Sequence, residues 1–172
     1  LMQNGKQCLN RSSTKDFCRF EIDKSNKIIY VIGDSKISSM VGGFLNYDIN
    51  QNYTIVEATK GGCALLLNTC DFYEGSKRFE SLSNVYDSIF VIGGRYQNHI
   101  NENTSIDDIQ KSLIETITLL TNNGNKVYFL TPIPEPGLNE RMYYFKNGEY
   151  LYHDYENWKE SVSDIMFMLN KI

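Results

Sequence analysis

"KIIYVIGDSKISSM", residues 27–40, decides the reading of the fold. Ile28 to Ile32 run apolar without a break, and Gly33 closes the run. A strand with one face in water would alternate apolar and polar residues. An unbroken run marks a strand buried on both faces, as in a parallel sheet covered by helices. After Gly33-Asp34-Ser35 the pattern changes, and a short helix is predicted over Lys36–Asn46. A serine at such a turn can be a nucleophile that a neighbouring base activates. It can equally be the N-cap of the helix. Spacing leaves both readings open.

The same alternation continues along the chain. Further strands are predicted over Tyr53–Thr59, Ser88–Gly93 and Lys126–Thr131. A helix over Asp107–Asn122 carries Ile109, Leu113, Ile117 and Leu120 on one face, acidic residues in its first turn, and Gly124 as its stop. A last helix is predicted over Trp158–Asn170. Strand, helix, strand in succession gives an α/β fold with a parallel central sheet and helices on both faces. Residues 1–26 are polar, hold the first two cysteines and read as a disulfide-stapled N-terminal extension. Residues 27–172 read as one α/β domain.

A chain of 172 residues is long enough for a full core. Its 41% hydrophobic and 22% charged residues are ordinary for a soluble globular protein. The formal net charge of -4 argues against nucleic acid or an anionic membrane surface as the main partner. Leu1 stands where a start methionine would be, and neither a signal peptide nor a membrane-spanning apolar run is visible, so the chain is expected to be part of something longer. Cys8, Cys18, Cys63 and Cys70 form two local pairs with spacings unlike those of zinc sites. They suggest the disulfides Cys8–Cys18 and Cys63–Cys70 and an oxidising compartment, against the reading as buried free thiols. No metal and no cofactor is expected; the glycine-rich phosphate-binding patterns are absent.

In an open α/β sheet the working site lies at the carboxyl ends of the strands. Here those ends are Gly33-Asp34-Ser35, Thr59-Lys60-Gly61-Gly62, Gly93-Gly94-Arg95 and Thr131-Pro132. Glycine lets a backbone N–H approach a ligand closely, and an oxyanion hole needs such donors beside a nucleophile. Tight strand-to-helix turns would use the same glycines.

"VIGDSKISSM" resembles the first block of the SGNH, or GDSL-like, hydrolase superfamily. "EATKGGC" and "SIFVIGGR" fall where that superfamily places its second and third blocks. Together with "CLNRSSTKDFCRF", "GGCALLLNTC" and "TPIPEPGLN", the set resembles the SGNH domains fused to acyltransferase-3 membrane proteins, over roughly residues 7 to 170. The resemblance implies a flavodoxin-like three-layer α/β/α fold and a periplasmic or otherwise extracytoplasmic location. It also implies handling of acyl groups, often acetyl, on surface glycans, as acyltransferase or esterase. The implied partners are a glycan or acyl-ester substrate and a fused membrane acyltransferase domain. It makes Ser35 the nucleophile, the N–H groups of Ser35 and of Gly61 or Gly62 the oxyanion donors, and Asp34 a structural residue of the turn. Arg95 stands where the superfamily has a donor Asn, and Lys36 where a histidine often follows the serine.

The base is harder to place. The family supplies Asp-x-x-His before its last helix, and this sequence has none; its histidines are His99 and His153. Three explanations stand. The chain stops before the motif; or Asp154-x-x-Asn157 is a degenerate form of it, which makes a catalytically inactive domain that binds glycan or docks a partner; or His153 is the base with Asp154 as its orienter. His153 can also be a capping or exposed histidine. The aromatic tail from Tyr143 to Trp158 can stack on sugar rings or fill core.

Overall fold

The computed structural model describes residues 1–11, 16–21, 27–46, 52–64, 66–67, 79–130 and 162–170. Two compact units divide the chain, Leu1–Leu130 and Thr131–Ile172.

The first unit opens with a hairpin, β1 (Met2–Gln3) and β2 (Lys6–Gln7), paired antiparallel. Asn4 and Gly5 both have positive φ, the backbone that a two-residue hairpin turn demands and that this residue pair tolerates best. The main sheet follows, from β3 (Cys18–Phe20), β4 (Ile28–Gly33), β5 (Thr54–Thr59), β6 (Ile89–Gly93) and β7 (Lys126–Phe129). Its strand order is β3-β5-β4-β6-β7. β4 pairs in parallel with both β5 and β6, and β6 with β7. β3 runs antiparallel to β5, with Cys18 opposite Glu57. The sheet is thus mostly parallel, and the antiparallel edge strand comes from the N-terminal stretch, where local pattern predicts no strand. The four predicted strands stand within two residues of their expected bounds.

Helix α1 (Ser35–Asn46) covers one face. Ile37 and Val41 meet Ile29, Val31, Ile55 and Val91 in a buried cluster, flanked by Met40 and Phe44. Each such side chain removed from water contributes about 1.5–3 kcal/mol. Tyr30, Ile32, Phe90 and Ile92 alternate with that set and are buried on the opposite face, where the Tyr30 and Phe90 rings stack at 5.0 Å. Helix α2 (Ile106–Asn122) packs beside β7 and buries Ile109, Leu113 and Leu120. Its start is closed by a capping box in which Ser105 and Asp108 exchange hydrogen bonds. A three-layer α/β/α architecture results.

In the second unit the described helix is α3 (Ser163–Leu169), with Val162, Ile165 and Met168 buried at three-residue spacing. The sequence predicts this helix from Trp158; residues 158–161 lie outside the described residues.

Candidate acyl-transfer site

The sheet order puts the ends of β5, β4 and β6 side by side, so three of the glycine-rich segments meet. At the centre, Gly33 has φ +155, and a Cβ there would lie 2.1 Å from the Gly93 carbonyl and 2.6 Å from Ile37 Cγ1. Only glycine permits β4 and β6 to close together above Ile37. Gly94 is similarly tight, because a Cβ on it would lie 3.0 Å from that of Ala64.

Asp34 answers the question that Ser35 raises. Its Oδ1 accepts the N–H groups of Lys36 at 2.9 Å and Ile37 at 3.4 Å, so Asp34 caps α1. Ser35 is the first helical residue, exposed, and its hydroxyl has no hydrogen-bond partner among the described residues. The capping role is filled by its neighbour, which leaves the serine side chain available for chemistry. Asp34 is 4% exposed, and its Oδ2 accepts the backbone N–H of Arg95 at 2.9 Å. One carboxylate therefore joins the turn that carries Ser35 to the end of β6.

The loop after β5 is accounted for amide by amide. Lys60 N–H donates to Gly33 O at 2.9 Å, Gly61 N–H to the Asn10 side-chain oxygen at 2.8 Å, and Cys63 N–H to Lys60 O at 3.2 Å. Ala64 N–H donates to His99 Nε2 at 3.1 Å. Gly62, with φ +68, is exposed, and its N–H has no partner among the described residues. Of the two expected oxyanion glycines, Gly61 has its N–H engaged and Gly62 has it open.

His99 closes the short 3-10 helix Tyr96–His99. Accepting at Nε2 puts its ring proton on Nδ1. Burial holds its pKa below the usual histidine value, and the negative charge of Asp34 opposes that shift. The lone pair that a general base would use is occupied by Ala64 N–H, so His99 braces the loop. Tyr96 is fully buried, and burial together with Asp34 keeps its phenol protonated, with a pKa far above the ordinary tyrosine value.

Beneath the site, the fully buried Glu57 carboxylate accepts hydrogen bonds from Ser38 Oγ on α1 and from Thr59 Oγ1 at 2.7 Å. It ties the first turns of α1 to the end of β5. Sequence reasoning missed Asn10, Glu57 and the brace made by His99; a carboxylate inside an otherwise apolar strand, "TIVEAT", was the available signal for Glu57.

Cys8 and Cys18 form a disulfide. Cys63 is also disulfide-bonded; Cys70, its expected partner, lies outside the described residues, as do His153, Asp154 and the aromatic tail from Tyr143 to Trp158. Among the described residues no cluster of three His, Cys, Asp or Glu could hold a metal ion, and no helix is long and apolar enough to cross a membrane.

The family model described as "SGNH domain (fused to AT3 domains)" matches residues 6–165. The fold is similar to that of the periplasmic domain of the lipopolysaccharide acetyltransferase of Salmonella ser. Paratyphi A, with a TM-score of 0.56 at 20% identity. The match covers 84% of this chain and 65% of that one, so the chain spans just under two thirds of that domain. At this identity the likeness is one of fold. No curated protein matches the sequence.

Proposed function

The chain belongs to the family of SGNH domains fused to AT3 domains, and from that premise we propose that it handles O-acyl, chiefly O-acetyl, esters of a surface glycan outside the cytoplasm. It does so as acyltransferase or esterase, with Ser35 as the nucleophile, in concert with a membrane acyltransferase domain. The observation that carries this reading is the turn itself: Asp34 caps the helix, and Ser35 stands exposed with its hydroxyl unengaged at the junction of three strand ends. The disulfide Cys8–Cys18 and the periplasmic origin of the similar structure support the location. In this reading residues 1–26 are a stapled extension of the α/β domain.

Ser35 Oγ attacks the acyl carbonyl and gives up its proton to a base. The oxyanion that forms is held by the N–H groups of Ser35 and Gly62. Collapse of this intermediate expels the alcohol and leaves the acyl group on Ser35. A sugar hydroxyl or water then attacks in turn. His153, with Asp154 as its orienter, stays the candidate for the base that this sequence offers, and both lie outside the described residues. Arg95 keeps its backbone N–H on Asp34, so any contribution to the oxyanion comes from its side chain.

Turnover of a chromogenic acetyl ester, with labelling by a fluorophosphonate, tests this. Ser35→Ala abolishes both; turnover that survives in the variant defeats the assignment. A second reading, a catalytically inactive domain that binds glycan or docks a partner, draws on one observation of the sequence: Asp154-x-x-Asn157 stands where Asp-x-x-His is expected, and asparagine is no base. A wild-type protein that neither labels nor turns over, yet binds an acetylated glycan, would establish it.

A further inference from the structure

The N-terminal loop is hydrogen-bonded to the end of β5 and the turn after it through Asn10. Asn10 has φ +71, a left-handed backbone that asparagine tolerates better than other side chains. Its own N–H donates to Thr59 O at 2.9 Å, and its Oδ1 accepts Gly61 N–H at 2.8 Å. These two bonds grip both sides of Lys60, whose N–H is held by Gly33 O, two residues before Ser35. The loop is therefore pinned to the nucleophile strand on one side and to Asn10 on the other. Asn10 is itself anchored. It lies within the loop closed by Cys8–Cys18, and Cys18 belongs to β3, which is paired with β5. The guanidinium of Arg11 next to it donates to the carbonyls of Gln7 at 3.0 Å and Asp16 at 2.8 Å.

We infer that Asn10 is a positioning residue of the acyl site: by holding Gly61 N–H it fixes the turn at Gly62 and aims the Gly62 N–H at the oxyanion. The inference rests on the Ser35 reading above. A glycine turn at φ +68 on the surface has many accessible conformations. A donor stabilises a developing charge only when its direction is set beforehand. Cys63 N–H on Lys60 O closes the turn upon itself, and the side-chain oxygen of Asn10 fixes its orientation at Gly61 from a segment 51 residues away in sequence. The stapled extension is thereby part of the machinery.

The test compares wild type, Asn10→Gly, Asn10→Asp and Ser35→Ala. Glycine keeps the left-handed backbone and the bond to Thr59 O but loses the acceptor; aspartate keeps all three. The readouts are kcat and KM for a chromogenic acetyl ester, and amide hydrogen exchange at Gly61 and Gly62 by NMR. Asn10→Gly is expected to lower kcat about 10- to 100-fold with KM little changed, a fraction of what loss of a whole oxyanion donor costs. Protection of the Gly61 amide should vanish with it, and Asn10→Asp should recover both. Wild-type kcat in Asn10→Gly, an unchanged Gly61 exchange rate, or Asn10→Asp as impaired as Asn10→Gly would each overturn the inference. Wild-type turnover no greater than that of Ser35→Ala instead defeats the Ser35 reading, and Gly61 exchange alone then decides whether Asn10 holds the loop.

Discussion

The Asp34 carboxylate accepts the backbone N–H of Arg95 at 2.9 Å with one oxygen and caps α1 with the other. It is a buried group that fixes two neighbouring strand ends at once, and alanine would leave the N–H groups of Lys36, Ile37 and Arg95 without it. Asp34→Ala is expected to cost about 2–4 kcal/mol, combining a lost cap with a lost bond to a charged acceptor. Asparagine keeps one acceptor oxygen and should fall between. Urea denaturation of the three proteins measures this. Fluorophosphonate labelling of Ser35 should also slow in Asp34→Ala under conditions where the variant is folded. Stability equal to wild type would show that the cap is dispensable.

Gly33 gives a sharper steric prediction. A methyl group there meets the Gly93 carbonyl at 2.1 Å, and backbone atoms of a central strand have nowhere to go. Gly33→Ala is expected to destabilise by about 3 kcal/mol or more, the upper range for overpacking. Gly43, with open space around its Cβ position, serves as the control. Comparable melting temperatures for Gly33→Ala and Gly43→Ala would contradict the packing at the β4–β6 end.

The centre of the sheet was legible because β4, β5 and β6 are buried on both faces. Ile28–Ile32 and Ile89–Ile92 announce themselves by unbroken apolar runs, Thr54–Thr59 by an apolar stretch that Glu57 interrupts, and α2 by its period and its acidic first turn. β3 was not legible. "CRF" is three residues long and owes its strand to pairing with Phe20–Ile55 and Cys18–Glu57, a relation across the sequence that no local window holds. The site divides in the same way. Ser35, Gly61, Gly62 and Arg95 stand at strand ends, where fold class alone predicts a site. Asn10 and His99 matter through single hydrogen bonds to Gly61 and Ala64, and such bonds leave no periodic trace.

The disulfide Cys8–Cys18 anchors the loop that carries Asn10. Closing a loop of this length restricts the unfolded chain and stabilises by about 2–4 kcal/mol. The pair Cys8→Ser and Cys18→Ser together should lose that amount in chemical denaturation and should also speed exchange of the Gly61 amide in the folded protein. Unchanged Gly61 exchange would mean that Asn10 keeps its place through Arg11 and its backbone bond alone.

His99 predicts a pH dependence with a definite sign. Its neutral ring accepts Ala64 N–H, and burial holds its folded pKa below the usual histidine value of about 6.5. Above that value the ring is neutral in both folded and unfolded chains, and its contribution to stability is complete. As the pH falls through about 6.5 the unfolded chain takes up a proton that the folded protein does not, so stability is lost until the folded pKa is passed. His99→Gln keeps an acceptor near the Nε2 position and removes the titration. The stability difference between wild type and His99→Gln should therefore be constant above about pH 7 and move against wild type as the pH falls below about 6.5. Other titrating groups, His153 among them, are common to both proteins and cancel in the difference. Parallel stability curves across that window would show that His99 does not hold the loop as a neutral acceptor.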